Sequence, residues 1–243
     1  MNDSKKLTGK IALITGASKG IGAAVAKEFA KEGAHVILVA RTQASLEEVD
    51  DAIRALGGTA TLVPLDVNDW TALDHLAMTI FERYGYLDIL VGNAAILGTL
   101  TPITHINPGE WDKVLSTNLT TNYRLLRSFD PLLRAAPFGR VIFVTSTAGS
   151  QIYPYWGSYA VSKAGLDMMV KIYAAEVEHT NIKVNLINPG GTRTSMRAKA
   201  FPGENPENLT RPEEVAKLFL DLASETCIKH GDVIAWKDVS KNY

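Results

Sequence analysis

Lys10-Ile11-Ala12-Leu13-Ile14-Thr15-Gly16-Ala17-Ser18-Lys19-Gly20-Ile21-Gly22-Ala23-Ala24-Val25-Ala26 is the stretch that decides how the chain is read. Residues 11–15 read as a short buried strand. Three glycines follow within seven residues, and a helix with small and apolar residues on its inner face begins. A turn without Cβ atoms lets backbone N–H groups approach a phosphate, and the helix N-terminus favours negative charge. Tight strand-to-helix turns use glycine in any case, so the run alone is weak evidence. Its place after a strand and before a helix strengthens it.

Outward from this stretch, strand and helix patterns alternate to the end of the chain. Strands are predicted at 35–40, 61–65, 87–91, 140–146, 182–187 and 231–236. Helices are predicted at 22–32, 44–56, 70–84, 107–133, 158–178 and 211–222, the fourth with a weak point at Asn118. Residues 35–40 (His-Val-Ile-Leu-Val-Ala) are nearly all apolar, as a strand covered on both faces is. Right-handed crossovers join such units into a parallel sheet. The expected fold is α/β: one Rossmann-fold domain over residues 1–243, its doubly wound parallel sheet carrying helices on both faces. Ligands in this architecture bind beyond the carboxyl ends of the strands.

The totals narrow the function. The 243 residues include 25 basic and 26 acidic side chains, with no basic patch or charge block. Nucleic acid and anionic membrane are therefore not expected partners. The single cysteine, Cys227, excludes an intrachain disulfide and a thiolate zinc cluster, and the five histidines have no ligand spacing, so no metal is expected. Residues 1–9 are polar, without the apolar segment of a signal peptide, and no apolar run is long enough for a membrane helix. A cytoplasmic location is the expectation.

The polar residues that stand out fall at predicted strand ends. Strand two ends in Ala40-Arg41, with no acid where one would hold the ribose of NAD. A guanidinium grips a ribose phosphate instead, and Lys19 in the glycine turn is placed to reach the same group. That pair points to NADP, with NADPH preferred over NADH. Asp66 and Val67 end strand three, where a short acid meets an adenine amino group or caps the next helix. Tyr159 and Lys163, four apart, lie on one helix face. A free phenol titrates near ~10, too high for a base at neutral pH, and a fixed ammonium beside it favours the phenolate. Such a phenol gives or takes a proton at a carbonyl oxygen. Ser146, at the end of strand five, is placed to hold that oxygen. Taken bare, a Tyr-Lys pair is common on exposed helices, and Ser146 between Thr145 and Thr147 also reads as a loop cap.

The glycine turn Thr15-Gly16-(x)3-Gly20-Ile21-Gly22, together with Asn118, Ser146, Tyr159 and Lys163 in order and spacing, resembles the short-chain dehydrogenase/reductase family. The likeness runs from Leu7 to about Val233. It implies hydride transfer between a nicotinamide cofactor and a carbonyl/alcohol pair. Tyr159 is then the acid/base, and Lys163 binds the nicotinamide ribose and lowers the tyrosine pKa. Ser146 polarises the carbonyl, and Asn118 holds a water in a proton relay. The resemblance places Gly16, Ser18, Lys19, Gly20, Ile21, Gly22, Arg41, Asp66, Val67, Asn93, Ala94, Tyr159, Lys163, Pro189, Gly190, Thr192 and Thr194 around the cofactor. Gly92-Asn93-Ala94-Ala95 departs from the usual Asn-Asn-Ala-Gly, which puts local strand-end bonding in doubt. The segment from Thr194 through Phe201-Pro202 is also similar to a poorly characterised bacterial subgroup of these oxidoreductases.

Substrate is expected between residues 93–98, the aromatic loop 149–157 and the segment after Gly190. Tyr153, Pro154, Tyr155 and Trp156 read equally as pocket wall or as packing against another subunit or the last helix. Arg193, Arg197 and Lys199 make the lid at 194–211 basic, which suits an anionic or carrier-bound substrate but also an ordinary solvated loop. A small-molecule carbonyl or alcohol is the expected substrate, and a homodimer or homotetramer the expected assembly. The alternative is a non-catalytic nucleotide-binding scaffold or redox-sensing interaction protein, which fold alone does not separate from an enzyme.

Overall fold

The computed structural model describes residues 5–243. The polar segment at 1–9 therefore lies partly outside the described residues. Seven parallel strands form one sheet: β1 (Ile11–Thr15), β2 (His35–Ala40), β3 (Thr59–Pro64), β4 (Ile89–Gly92), β5 (Arg140–Val144), β6 (Lys183–Asn188) and β7 (Val233–Ala235). Their order is β3-β2-β1-β4-β5-β6-β7, so the winding reverses between β1 and β4. β1 pairs with β2 on one side (Ile11 opposite His35) and with β4 on the other (Ala12 opposite Ile89).

Side chains alternate across a strand, which divides the core into two layers. Ala12, Ile14, Val36 and Leu38 face α1 (Gly20–Lys31), α2 (Gln43–Ala55) and α8 (Pro212–Ala223). Ile11, Leu13, Ile37 and Val39 face α3 (Trp70–Tyr84), α5 (Thr121–Ala135) and α6 (Gly157–Glu176). Phe29, Phe129, Phe143 and Phe219 are among the largest fully buried side chains. Each such residue contributes roughly 1.5–3 kcal/mol by leaving water. β3 is one of the two edge strands. Its half-exposed pattern and terminal Pro64 fit a position with one free side.

Several boundaries move for identifiable reasons. The predicted strand at 87–91 pairs from Ile89. The Asp88 carboxylate accepts the Ile11 N–H at 2.9 Å ahead of the ladder. The last strand shrinks to Val233–Ala235. Gly231 takes φ +75°, and Trp236 is buried and opens a short helix, α9 (Trp236–Val239). The long helix predicted at 107–133 is α4 (Pro108–Leu115) and α5, joined by a π-helical turn at Ser116–Thr120. The segment read as a plain lid contains α7 (Ser195–Ala200). No described helix is long and apolar enough to cross a membrane.

Candidate active site

Beyond the carboxyl ends of the strands runs a cavity of about 620 Å³. At one end it is lined by Arg41, Asp66 and Val67, along its floor by the glycine turn, and at the other end by Ser146, Tyr159 and Lys163. Ser18, Lys19, Ile21, Asn93, Ala94, Pro189, Gly190, Thr192 and Thr194 line it as well. Of the sequence-derived residues, Gly22 and Asn118 are set behind the wall. Gly22 is the tighter case. A Cβ there would lie 2.3 Å from the Gly16 carbonyl oxygen, so its role is to let α1 start under the turn.

The turn is held from β4. Asn93 donates from Nδ2 to the Thr15 carbonyl at 2.9 Å and the Gly16 carbonyl at 3.2 Å. The Asn93 and Ala94 N–H groups both donate to Thr15 Oγ1, at 3.0 and 3.1 Å. Asn93 thus acts on the cavity through the turn it braces. Gly92, which seemed a loss, matches its neighbour on β5: a Cβ at Gly92 would stand 2.1 Å from the Phe143 ring. Lys19 caps α1 without a side-chain bond, so the first N–H groups of that helix point toward the cavity floor with no competing acceptor from the cap. These features fit a dinucleotide phosphate.

At the adenine end, α3 is capped by Asp69, which accepts from Ala72 N–H at 3.0 Å. Asp66 is therefore not the cap. Its Oδ1 accepts from Asn68 N–H at 3.0 Å and from Asn68 Nδ2 at 3.1 Å. Asn68 also takes the Ser116 hydroxyl at 2.8 Å and reaches Thr117, tying this loop to the π-helical turn. Arg41 and Lys19 are both exposed at the cavity edge. Glu48 lines the same edge, one turn into α2, and sequence spacing gave no signal for it.

The π-helical turn explains Asn118. It is fully buried and bound across the chain to Ile96: Oδ1 accepts the Ile96 N–H and Nδ2 donates to the Ile96 carbonyl, each at 2.9 Å. Nδ2 also donates to Ser162 Oγ at 3.0 Å, and Ser162 donates onward to the Tyr159 carbonyl at 2.7 Å. Both amide protons of Asn118 are committed to protein. Asn122 Nδ2 donates to the Asn118 main-chain carbonyl at 2.7 Å, which holds the widened turn open. Ser162 was missed because back-bonding serines are ordinary within helices.

Tyr159 and Lys163 rise from the first turns of α6 and are both buried. Burial pushes the Tyr159 phenol up, and the hydroxyl of Ser146, which hydrogen-bonds it, pulls it back. Ser146 Oγ also accepts the Ala148 N–H at 3.2 Å, the capping role that the sequence offered for it. Lys163 is anchored at the end of β5. Its Nζ donates to the Val144 carbonyl at 2.7 Å and lies 5.8 Å from the Tyr159 ring centre. Burial pushes the Lys163 ammonium down to about 8, opposed by the Asp167 carboxylate one turn along. Unfolded, the amine titrates near 10.5. Between these values the unfolded chain binds more protons, so folding gains from this group as pH rises from about 8 toward 10.5, and gains nothing below 8. Lys163→Met removes that dependence. The wild-type unfolding free energy is expected to rise relative to the variant by on the order of 1 kcal/mol between pH ~8 and ~9.5 in urea melts. A constant difference across that range would refute the assignment.

Among the described residues, no group of His, Cys, Asp and Glu is arranged to hold a metal ion. The fold and the cavity over the glycine turn fit a nucleotide-binding protein of the doubly wound class. Residues 10–205 match the family model for short chain dehydrogenases. The chain is 37% identical over 222 residues, 90% of its length and 88% of the relative's, to the uncharacterized oxidoreductase YciK of Escherichia coli K12. A short chain dehydrogenase of Shigella flexneri 2a strain 301, solved with NADP, superposes with a TM-score of 0.92 at 35% identity, covering 97% of this chain and all of the other. One from Escherichia coli CFT073, solved with NADPH, gives 0.90 at 34% identity, covering 96% and 98%. The chain belongs to the short-chain dehydrogenase/reductase family of oxidoreductases.

Proposed function

We propose that the protein is an NADP(H)-dependent oxidoreductase that interconverts a carbonyl and an alcohol on a small molecule, with Tyr159 as acid and base. One observation carries the reading: a single cavity joins Arg41 and the glycine turn to Ser146 and Tyr159, with Lys163 buried beside them. When bound, the nicotinamide supplies the hydride, which goes to the carbonyl carbon. Tyr159 gives its proton to the carbonyl oxygen, and Ser146 donates a hydrogen bond to that oxygen as charge builds on it. The phenolate left behind is favoured by the Lys163 ammonium, and a proton from solvent restores the phenol. In the oxidative direction each transfer reverses. Asn118 supports the site from behind, through its bonds to Ile96 and to Ser162, which donates to the Tyr159 carbonyl.

Arg41 and Lys19 support a preference for NADPH, since both edge the cavity where a ribose phosphate would lie and a charge-assisted pair there has no counterpart in NADH. Arg41→Ala is expected to weaken NADPH binding by about tenfold or more while leaving NADH within about twofold. A titration following cofactor fluorescence at fixed ionic strength measures both, and equal losses would sink the phosphate assignment. Exposed Tyr123 on α5 and Val161, Met168 and Ile172 on α6 support a homodimer through these two helices. The reaction is tested by NADPH oxidation with a panel of diketones, quinones and aldehydes. Tight cofactor binding without turnover would favour the scaffold reading.

A further inference from the structure

The lid charges are already spent within the lid. Arg197 Nε and its terminal nitrogen each lie 2.6 Å from an oxygen of Glu204, a bidentate pair. Arg193 donates to the Pro206 carbonyl at 2.8 Å and to Glu207 at 2.9 Å. Lys199 is exposed and takes no part in the cavity wall. Of the lid cations the sequence presents, only Arg197 reaches the cavity, and its charge is already paired with Glu204 outside the wall.

What the lid presents instead is apolar and aromatic. Tyr159 sits in a cluster with Leu97 and Ala148, and Trp156 and Met196 pack against it. Trp156 meets Tyr159 edge-on at 5.7 Å and Phe201 at 5.7 Å. The Arg197 guanidinium lies 3.9 Å from the centre of the Phe201 ring. One chain of contacts therefore runs Glu204, Arg197, Phe201, Trp156, Tyr159, from an ion pair on the lid to the phenol.

We propose that the carbonyl end of the cavity takes an uncharged aromatic or alicyclic ketone, aldehyde or quinone, and that Glu204 sets this choice by occupying Arg197. The inference rests on the reductase reading for its chemistry and on the lid contacts for its selectivity. A flat apolar body gains ring contacts with Trp156 and Phe201. A carboxylate or phosphate would leave water and find its natural cation, Arg197, already bidentate to another carboxylate. Glu204 stays ionised for that role, because Arg197 holds its carboxyl below the usual range.

The test compares two aldehydes that share a ring and differ by a methyl ester against a carboxylate, methyl 4-formylbenzoate and 4-carboxybenzaldehyde, with wild type and Glu204→Gln, so that the shift between the two proteins isolates the charge. Wild type is expected to favour the ester in kcat/KM by about tenfold or more. Glu204→Gln loosens Arg197, and the ratio is expected to move toward the carboxylate by about tenfold, mainly through KM. Equal use of both by wild type, or a ratio unmoved by the substitution, overturns the proposal. Binding to the NADP-loaded protein is followed in parallel by tryptophan fluorescence, with Trp156→Phe as control. Ester binding that exceeds carboxylate binding without turnover of either supports the selectivity and overturns the reductase reading. Equal binding, or binding of neither, overturns the proposal itself.

Discussion

Tyr159→Phe is expected to lower kcat/KM for carbonyl reduction by about 10³-fold, with NADPH affinity within about twofold of wild type. The substitution removes the phenol hydroxyl beside Ser146 and keeps the ring. That ring is buried and packs edge-on against Trp156 at 5.7 Å, so the apolar cluster around it survives. A structural role would move stability; a proton-transfer role moves kcat. The measurement is steady-state kinetics beside a thermal melt and a cofactor titration. A variant that keeps more than about a tenth of the activity at an unchanged melting point would falsify Tyr159 as the acid. Ser146→Ala is a smaller change of the same kind, since the phenol loses the hydroxyl that counters its burial.

Gly92→Ala is expected to destabilise the fold by about 3 kcal/mol, a fall of roughly 6–12 °C in Tm. The new methyl would stand 2.1 and 2.3 Å from two atoms of the Phe143 ring, on the paired position of the next strand. Phe143 is fully buried in the layer under α5 and α6 and has no free direction in which to move. Phe143→Ala alone leaves a cavity and is expected to lower stability by about 3–5 kcal/mol. Combined, the two changes share one space, so the double variant is expected to be more stable than the sum by at least about 1 kcal/mol. Chemical denaturation of the four proteins measures this, and strict additivity would show that ring and glycine are not matched. Cofactor binding should weaken with Gly92→Ala, because the next residue, Asn93, holds the glycine turn by two bonds to its carbonyls.

Much of the nucleotide side was legible because its signals are local. The strand 11–15, the glycines after it and the Tyr159–Lys163 step on α6 each follow from spacing within one element, and backbone sterics and helical period turn spacing into shape. Arg41 could be placed because it directly follows β2, and a parallel strand's carboxyl end is where this sheet opens. The lid shows the opposite case. Arg193 and Arg197 read as free cations, since an acid 7 or 14 residues away signals nothing until a short helix and a turn bring it back.

The sequence by itself determined the alternation of elements, the two apolar layers and the residues that stand at strand ends. These depend on period and on turn chemistry, which each segment carries alone. The tertiary structure decided who meets whom. It joined Asn118 to Ile96 and Ser162, turned Lys163 to the carbonyl of Val144, set Phe143 against Gly92 and closed Glu204 on Arg197. Each of these pairings links segments whose distance in space is fixed only when strand register and helix packing are set together. Their energies depend on burial and on the loss of competing water, which no single segment possesses before the chain has folded.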